Sequence, residues 1–336
     1  MTSVGKRGKG KKQMKIMNTF DGEWSHSTSL KESYLECGVR DINMKHLTER
    51  PPDNVRWVHK QESFNEDGDN TGITIFTDKF LLPQMKDWYS SINSPYKIGI
   101  LLESISITPR IYTDIIEIED SFDFIFTYSE SLLSRNPKKY KFIPGGWVCV
   151  EEESHKPHKK TKMTSIIYSE KSGGGPESEL DARHIRHQVA ERFGKLKIDV
   201  FGSGSPKGEE PIKSKTLNDY RFSVVIENTI SSETTYYSEK ILDCFLTKNV
   251  PIYRGTSNIT KFFDERGIIQ WTELDELEEI LDSLSEEMYE EMKPYMEKNY
   301  NLAQKYISPD DVIYELIKKC QSNIDYDTRH FFKTKV

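Results

Sequence analysis

Residues 220–255 run YRFSVVIENTISSETTYYSEKILDCFLTKNVPIYRG, and the order of residue types in this stretch carries the fold. Positions 221–228 are a short, nearly continuous apolar and β-branched run that closes on Glu227 and Asn228, the pattern of a strand covered on both faces. A polar loop follows. Ser238 has the chemistry of an N-cap, Glu239 and Lys240 open a helix reaching about residue 247, and VPIY at 250–253 is the next short strand. Strand, helix and strand in close succession need a crossover, so the strands are predicted to run parallel in an α/β unit.

The alternation extends in both directions. Upstream lie MTSIIYS (163–169), a Gly-rich loop, a helix from about 179 to 193, and LKIDVFG (196–202). Earlier still come the strand-like runs ITIFT (73–77), KIGILLE (97–103), FDFIFT (122–127) and YKFIP (140–144), with SESLLSRNP (129–137) as a helix between two of them. Downstream, GIIQW (267–271) is a last strand. Leu274, Leu277, Ile280, Leu281, Leu284 and Met288 then recur at helical spacing in an acidic segment, which predicts one amphipathic helix with a solvated carboxylate face. Residues 151–162, EEESHKPHKKTK, contain none of Ala, Val, Ile, Leu, Met, Phe, Trp, Tyr or Cys and have the composition of a linker. The expected organisation is two α/β domains facing a cleft, 21–155 and 156–336, with the last helix returning to the first domain. Residues 21–70 show no sharp period, and 61–72 have the composition of an exposed loop.

A length of 336 residues suits two domains, and 38 aromatic side chains against 30% charged residues exclude disorder throughout. No apolar run approaches the roughly 20 residues of a membrane span, and no hydrophobic leader is evident, so a soluble, cytoplasmic protein is expected. Cys37, Cys149, Cys244 and Cys320 are 112, 95 and 76 positions apart, a spacing that suits neither a zinc knuckle nor a disulfide framework. Net charge is −7, but Lys6, Arg7, Lys9, Lys11, Lys12 and Lys15 leave the remainder at −13. The body therefore repels polyanions. Residues 1–20 are expected to be a disordered basic tail, with anionic surfaces as the partners its charge suits.

Glu227 and Asn228 at a strand's carboxyl end, beside a helix start carrying Lys240, have the makings of a phosphate or ribose site; a plain N-cap with a first-turn acid is the alternative. Gly202, Ser203 and Gly204 permit close backbone approach to phosphate, or form an ordinary turn. His155 with His158, and His184 with His187, lack the further ligands of a zinc site. Trp147 either stacks on a sugar or packs.

Residues 220–255 resemble the donor-binding motif of the α-1,3-fucosyltransferases of glycosyltransferase family 10, approximately YkFxlxFENs, a variable loop, YvTEKl, and a helix leading to VPvYxG. Tyr220, Phe222, Glu227, Asn228, Tyr237, Glu239, Lys240, Val250, Pro251, Tyr253 and Gly255 match, whereas Ile226, Ser238 and Arg254 depart from it. The resemblance implies the GT-B fold, with nucleotide sugar in the C-terminal domain and acceptor in the N-terminal one. It implies a donor-binding set of Arg183 (Arg186 in reserve), Gly202, Gly204, Tyr220, Glu227, Asn228, Tyr237, Ser238, Glu239 and Lys240, with Glu103 as general base. The implied reaction is inverting, metal-independent transfer, with GDP-fucose as donor and a glycan hydroxyl as acceptor, in an enzyme of the soluble bacterial or viral type. Alternatives are another nucleotide sugar on the same fold, or a non-catalytic nucleotide- or glycan-binding protein. Asp67-Gly68-Asp69 has the form of the metal motif of a different glycosyltransferase fold, but its polar setting favours a turn.

Overall fold

Two β-sheets, parallel at every pairing, organise the chain. The computed structural model describes residues 14–19, 55–59, 73–91, 96–150, 152–169, 181–202, 213–231, 234–307 and 309–321. The first sheet comprises β1 (Met14–Thr19), β2 (Val55–His59), β3 (Ile73–Thr77), β4 (Tyr96–Ile100), β5 (Phe124–Thr127) and β6 (Tyr140–Phe142), in the order β2-β1-β3-β4-β5-β6. Helices α1 (Lys86–Ser91), α2 (Pro109–Ile118) and α3 (Glu130–Arg135) connect its later strands. Ile75, Phe76, Ile98, Ile100, Ile125 and Phe126 are all buried, as a sheet covered on both faces demands.

Two strands lie where composition indicates none. Met14–Thr19, assigned above to the disordered tail, form β1 between β2 and β3, so that assignment is corrected for these residues. β2 comes from the stretch without clear period. Both are short segments whose pairing is supplied by distant strands rather than by local pattern.

The second sheet holds β7 (Lys162–Ile167), β8 (Asp199–Phe201), β9 (Tyr220–Ile226), β10 (Val250–Arg254) and β11 (Ile269–Gln270), in the order β11-β10-β9-β7-β8. Its helices are α4 (Arg183–Phe193), α5 (Lys213–Asp219), α6 (Glu239–Leu246), α7 (Leu274–Ser283), α8 (Glu286–Ala303) and α9 (Pro309–Gln321). From β7 the chain first winds outward to β8, then returns past β7 to β9 and continues the other way. That reversal opens a crevice at the carboxyl ends of β7 and β9, where open parallel sheets bind ligands.

The single amphipathic helix expected over residues 274–288 is two helices. The first ends at Ser283, and Ser285 caps the second, accepting from the Met288 amide at 3.1 Å, with Glu286 and Glu287 in the first turn. One apolar cluster unites Ile125, Phe142 and Trp147 with Leu242 and Phe262 and with Ile313 and Leu316 of α9. Phe142 stacks on Phe262 at a centroid distance of 5.1 Å. Trp147, only 6% exposed, belongs to this core and is no sugar platform. A second cluster, including Val189, Phe222, Leu277 and Met296, packs α4, α7 and α8 against the second sheet.

Candidate active site

β9 ends at Ile226 and delivers Glu227 into a fully buried position. A buried carboxylate must be satisfied by donors or a cation. Ser238 supplies both its amide, 2.9 Å from Oε1, and its hydroxyl, 2.6 Å from Oε2, while Lys240 Nζ lies 3.6 Å from Oε2. Ser238 Oγ in turn accepts from the Lys240 amide at 3.4 Å and from its Nζ at 3.0 Å. Glu227 therefore ties the end of β9 to the start of α6, and Ser238 serves as both cap and tie.

This arrangement aims the first turn of α6 into a cavity of about 510 Å³. Tyr168 and Ser169 beyond β7, Gly202 beyond β8 and Asn228 beyond β9 line it, together with Arg183, Arg186, Lys213, Glu239 and Lys240. The position matches the topological crevice, and the size lies within the usual range for small-molecule sites. Gly202 has φ +98°, and a Cβ there would lie 2.1 Å from the Tyr168 carbonyl oxygen, so only glycine fits. Gly204 lies outside the described residues.

The charged groups of the wall differ in what holds them. Arg183 is gripped by Asp181, Nε donating to Oδ1 at 2.9 Å and Nη2 to Oδ2 at 2.7 Å. Arg186, 8% exposed, donates from Nε and Nη2 to the Ile226 carbonyl at 3.1 and 2.7 Å, and from Nη2 to Asn228 Oδ1 at 2.6 Å. Asn228 thus orients Arg186. Glu239 is 30% exposed with Lys240 Nζ 3.3 Å away. Burial disfavours its charged form, but Lys240 and Lys213 outweigh burial and hold the carboxyl at about 2.

Lys213 was not singled out from the sequence, where the surrounding KSK has the composition of a polar loop. It opens α5 and pairs with the fully buried Asp243 of α6 at 2.5 Å. Burial works against its charge, and Asp243 and Glu239 outweigh it, raising the lysine pKa. Asp243 Oδ1 also accepts from the Cys149 and Val150 amides at 2.7 and 3.2 Å, tying the segment after β6 to this site.

Four described residues of the implied donor set do not line the cavity: Glu227 and Ser238 lie behind Lys240 as its frame, and Tyr220 and Tyr237 lie further away. Tyr220 is at the amino end of β9, its hydroxyl donating to Asp199 Oδ2 at 2.5 Å; six residues of strand, roughly 20 Å, separate it from the cavity end. Tyr237 is fully buried among Phe262, Phe263 and Tyr306, with its hydroxyl 2.9 Å from that of Tyr306. Neither lines the cavity, because their periodic positions serve the cores instead.

Glu103 lies in the loop between β4 and α2, half-buried, with Oε1 accepting from the Ser104 amide at 2.7 Å. It does not line the cavity, but its loop reaches the second domain. The Ser104 and Ser106 hydroxyls bond Thr229 Oγ1, Ser106 Oγ donates to the Asn228 carbonyl at 3.1 Å, and Ile107 forms part of the cavity wall.

Three of the four paired histidines are engaged otherwise: His155 and His158 Nε2 donate to the Val150 and Glu153 carbonyls, and His187 packs edge-on to Tyr168. Among the described residues no cluster of three or more His, Cys, Asp or Glu side chains is arranged to hold a metal ion. Asp67-Gly68-Asp69 lies outside the described residues. Arg254, where the motif differs, lays its guanidinium over Trp271 at 4.7 Å. No described helix is long and apolar enough to cross a membrane.

Residues 159–327 match the family model described as glycosyltransferase family 10 (fucosyltransferase), C-terminal. No curated protein sequence matches the chain. Among solved structures, a crystal structure of an α1,3-fucosyltransferase is similar at 15% identity and TM-score 0.55, covering 97% of this chain and 95% of that one. A structure of α1,3-fucosyltransferase with GDP is similar at 15% identity and TM-score 0.54, covering 97% and 96%. With two parallel sheets in the GT-B arrangement and a family match across half its length, the chain belongs to glycosyltransferase family 10, the fucosyltransferases.

Proposed function

We propose that this chain transfers L-fucose from GDP-fucose to a hydroxyl of a glycan acceptor, inverting the anomeric carbon. One observation carries the reading: at the switch point of the second sheet, Arg183, Arg186, Lys213 and Lys240 converge on a cavity that also presents Glu239. Four cations suit a diphosphate, and one carboxylate among them suits sugar or ribose hydroxyls. Membership of a fucosyltransferase family and likeness to a structure solved with GDP support the choice of donor. In this reading residues 156–336 hold the donor and residues 21–155 the acceptor.

The acceptor hydroxyl attacks the anomeric carbon as the bond from that carbon to the β-phosphate oxygen breaks. Its proton passes to the Glu103 carboxylate, and the electron pair of the broken bond leaves with GDP. Charge grows on the diphosphate while the sugar acquires oxocarbenium character. Lys240, Arg186 and Lys213 stabilise that charge without reorganising, since Ser238, Asn228 and Asp243 already fix them. The side chains supply the counter-charge, so the proposed step calls on no metal ion. Glu239 orients hydroxyls, and Glu227 holds the frame on which Lys240 stands.

The test is mass spectrometry of products from a panel of GDP- and UDP-sugars with glycan acceptors, followed by NMR of the new anomeric centre. Fucosylated product from GDP-fucose with the inverted anomer is expected. Transfer only from another donor would overturn the sugar assignment, and a retained anomer would overturn the single displacement.

A further inference from the structure

Glu103 sits in a loop, yet its main chain is pinned from two sides by side chains from elsewhere. Just past β4, the Leu101 amide still donates to the Phe126 carbonyl of β5 at 2.9 Å. Beyond that point the sheet offers no partner. Asp78 takes over: its Oδ1 accepts from the Leu102 amide at 2.9 Å and from the Glu103 amide at 3.0 Å. On the other side, the buried hydroxyls of Tyr112 and Tyr128 lie 2.6 and 2.7 Å from the Glu103 carbonyl oxygen, and 2.6 Å from each other.

Asp78 reaches this position at a cost. It directly follows β3, whose last residue, Thr77, pairs with Ile100 at the end of β4. A left-handed turn at φ +39° is what swings its carboxylate over the end of the neighbouring strand. Non-glycine residues with positive φ are uncommon, and strained backbone of this kind concentrates at functional sites. The Leu102 and Glu103 amides are part-buried, so Asp78 supplies an acceptor that water reaches poorly there, and in doing so it fixes the peptide between them. The pinned peptide carries the one carboxylate on a loop that also touches Asn228 and Thr229 and contributes Ile107 to the cavity wall.

We infer that Asp78, acting with Tyr128, is a positioning residue for the transfer reaction: it locks the Glu103 peptide so that the carboxylate is held towards the acceptor hydroxyl. The inference rests on Glu103 being the base. A displacement of about 1 Å at a reacting group costs on the order of a hundredfold in rate.

The experiment compares the full-length chain with Asp78→Gly, Asp78→Asn, Tyr128→Phe and Glu103→Gln, measuring GDP affinity, kcat and the acceptor KM. Glycine accepts the positive φ and removes the oxygen; asparagine tolerates the φ and keeps an oxygen acceptor. The expected result is a kcat about ten- to a hundredfold lower in Asp78→Gly, GDP affinity and acceptor KM within about twofold of wild type, and recovery to within a few fold in Asp78→Asn. A wild-type kcat in Asp78→Gly, or an Asp78→Asn variant as slow as Asp78→Gly, overturns the positioning role. If Asp78→Gly lacks a cooperative melt, Tyr128→Phe tests the same pin with the ring retained, and a wild-type kcat there overturns the proposal. Full turnover in Glu103→Gln overturns the base assignment and the positioning role together, whereas an inactive Glu103→Gln beside a normal Asp78→Gly overturns positioning alone.

Discussion

Lys240 shows how one side chain carries several duties. Its ammonium lies within 3.6 Å of both Glu227 and Glu239 and 3.0 Å from Ser238 Oγ, and it faces the cavity. Lys240→Ala therefore removes a cavity-facing charge and a close counter-charge of Glu239. A charge-assisted hydrogen bond contributes about 1.5–3 kcal/mol, so calorimetry is expected to record roughly ten- to a hundredfold weaker GDP binding. NMR titration should show the Glu239 carboxyl rising from about 2 towards its ordinary value, since burial then goes less opposed. The sign is fixed by linkage: a carboxyl depressed in the folded state adds stability that is present above its unfolded pKa of about 4.5 and is lost as pH falls towards 2. That acid sensitivity should be smaller in the variant. Unchanged GDP affinity in a folded Lys240→Ala protein would return this residue to the ordinary helix surface.

At the scale of the element, α6 depends on its first turn. Ser238 caps the helix and satisfies both oxygens of the buried Glu227. Losing an N-cap hydroxyl costs about 1 kcal/mol, and leaving a buried charged acceptor short of a donor adds about 1–3 kcal/mol. Ser238→Ala is thus expected to lower unfolding free energy by about 2–4 kcal/mol in urea titration, while Ser238→Thr, which retains the hydroxyl, should fall within about 1 kcal/mol of wild type. Equal losses in the two variants would mean that the hydroxyl is not the element's anchor. The neighbouring helix break is legible by the same logic: Ser285 before two glutamates is a start signal, and it overrides the apolar periodicity that runs through it.

Across the whole molecule, the two sheets share one apolar cluster, joined by the Phe142–Phe262 stack, by Asp243 on the Cys149 and Val150 amides, and by the hydroxyls of Ser104, Ser106 and Thr229. Coupling this extensive means that neither sheet unfolds without exposing core of the other. Scanning calorimetry is expected to show a single cooperative transition, shifted upward by GDP through mass action. Two separated transitions, only one of them GDP-sensitive, would show that the lobes are energetically independent.

What the sequence by itself determined was whatever depends on near neighbours. The apolar run at 221–226 specified a buried parallel strand, Ser238 followed by Glu239 and Lys240 specified a helix start, and their matches to a family motif pointed to the family. Tertiary structure decided the rest, because its causes lie far apart along the chain. Strand order put the carboxyl ends of β7 and β9 at one crevice, leaving Tyr220 at the other end of its strand and Tyr237 in the core. Pairing with β2 and β3 made a strand of Met14–Thr19, in a stretch whose charge marks it as a tail. Asp243, deep in α6, drew Lys213 from a polar loop to the cavity wall, and a left-handed turn brought Asp78 onto the peptide of Glu103. Caps and periodic runs are written in residues three or four apart, whereas a buried charge finds its partner only when the chain has closed around it.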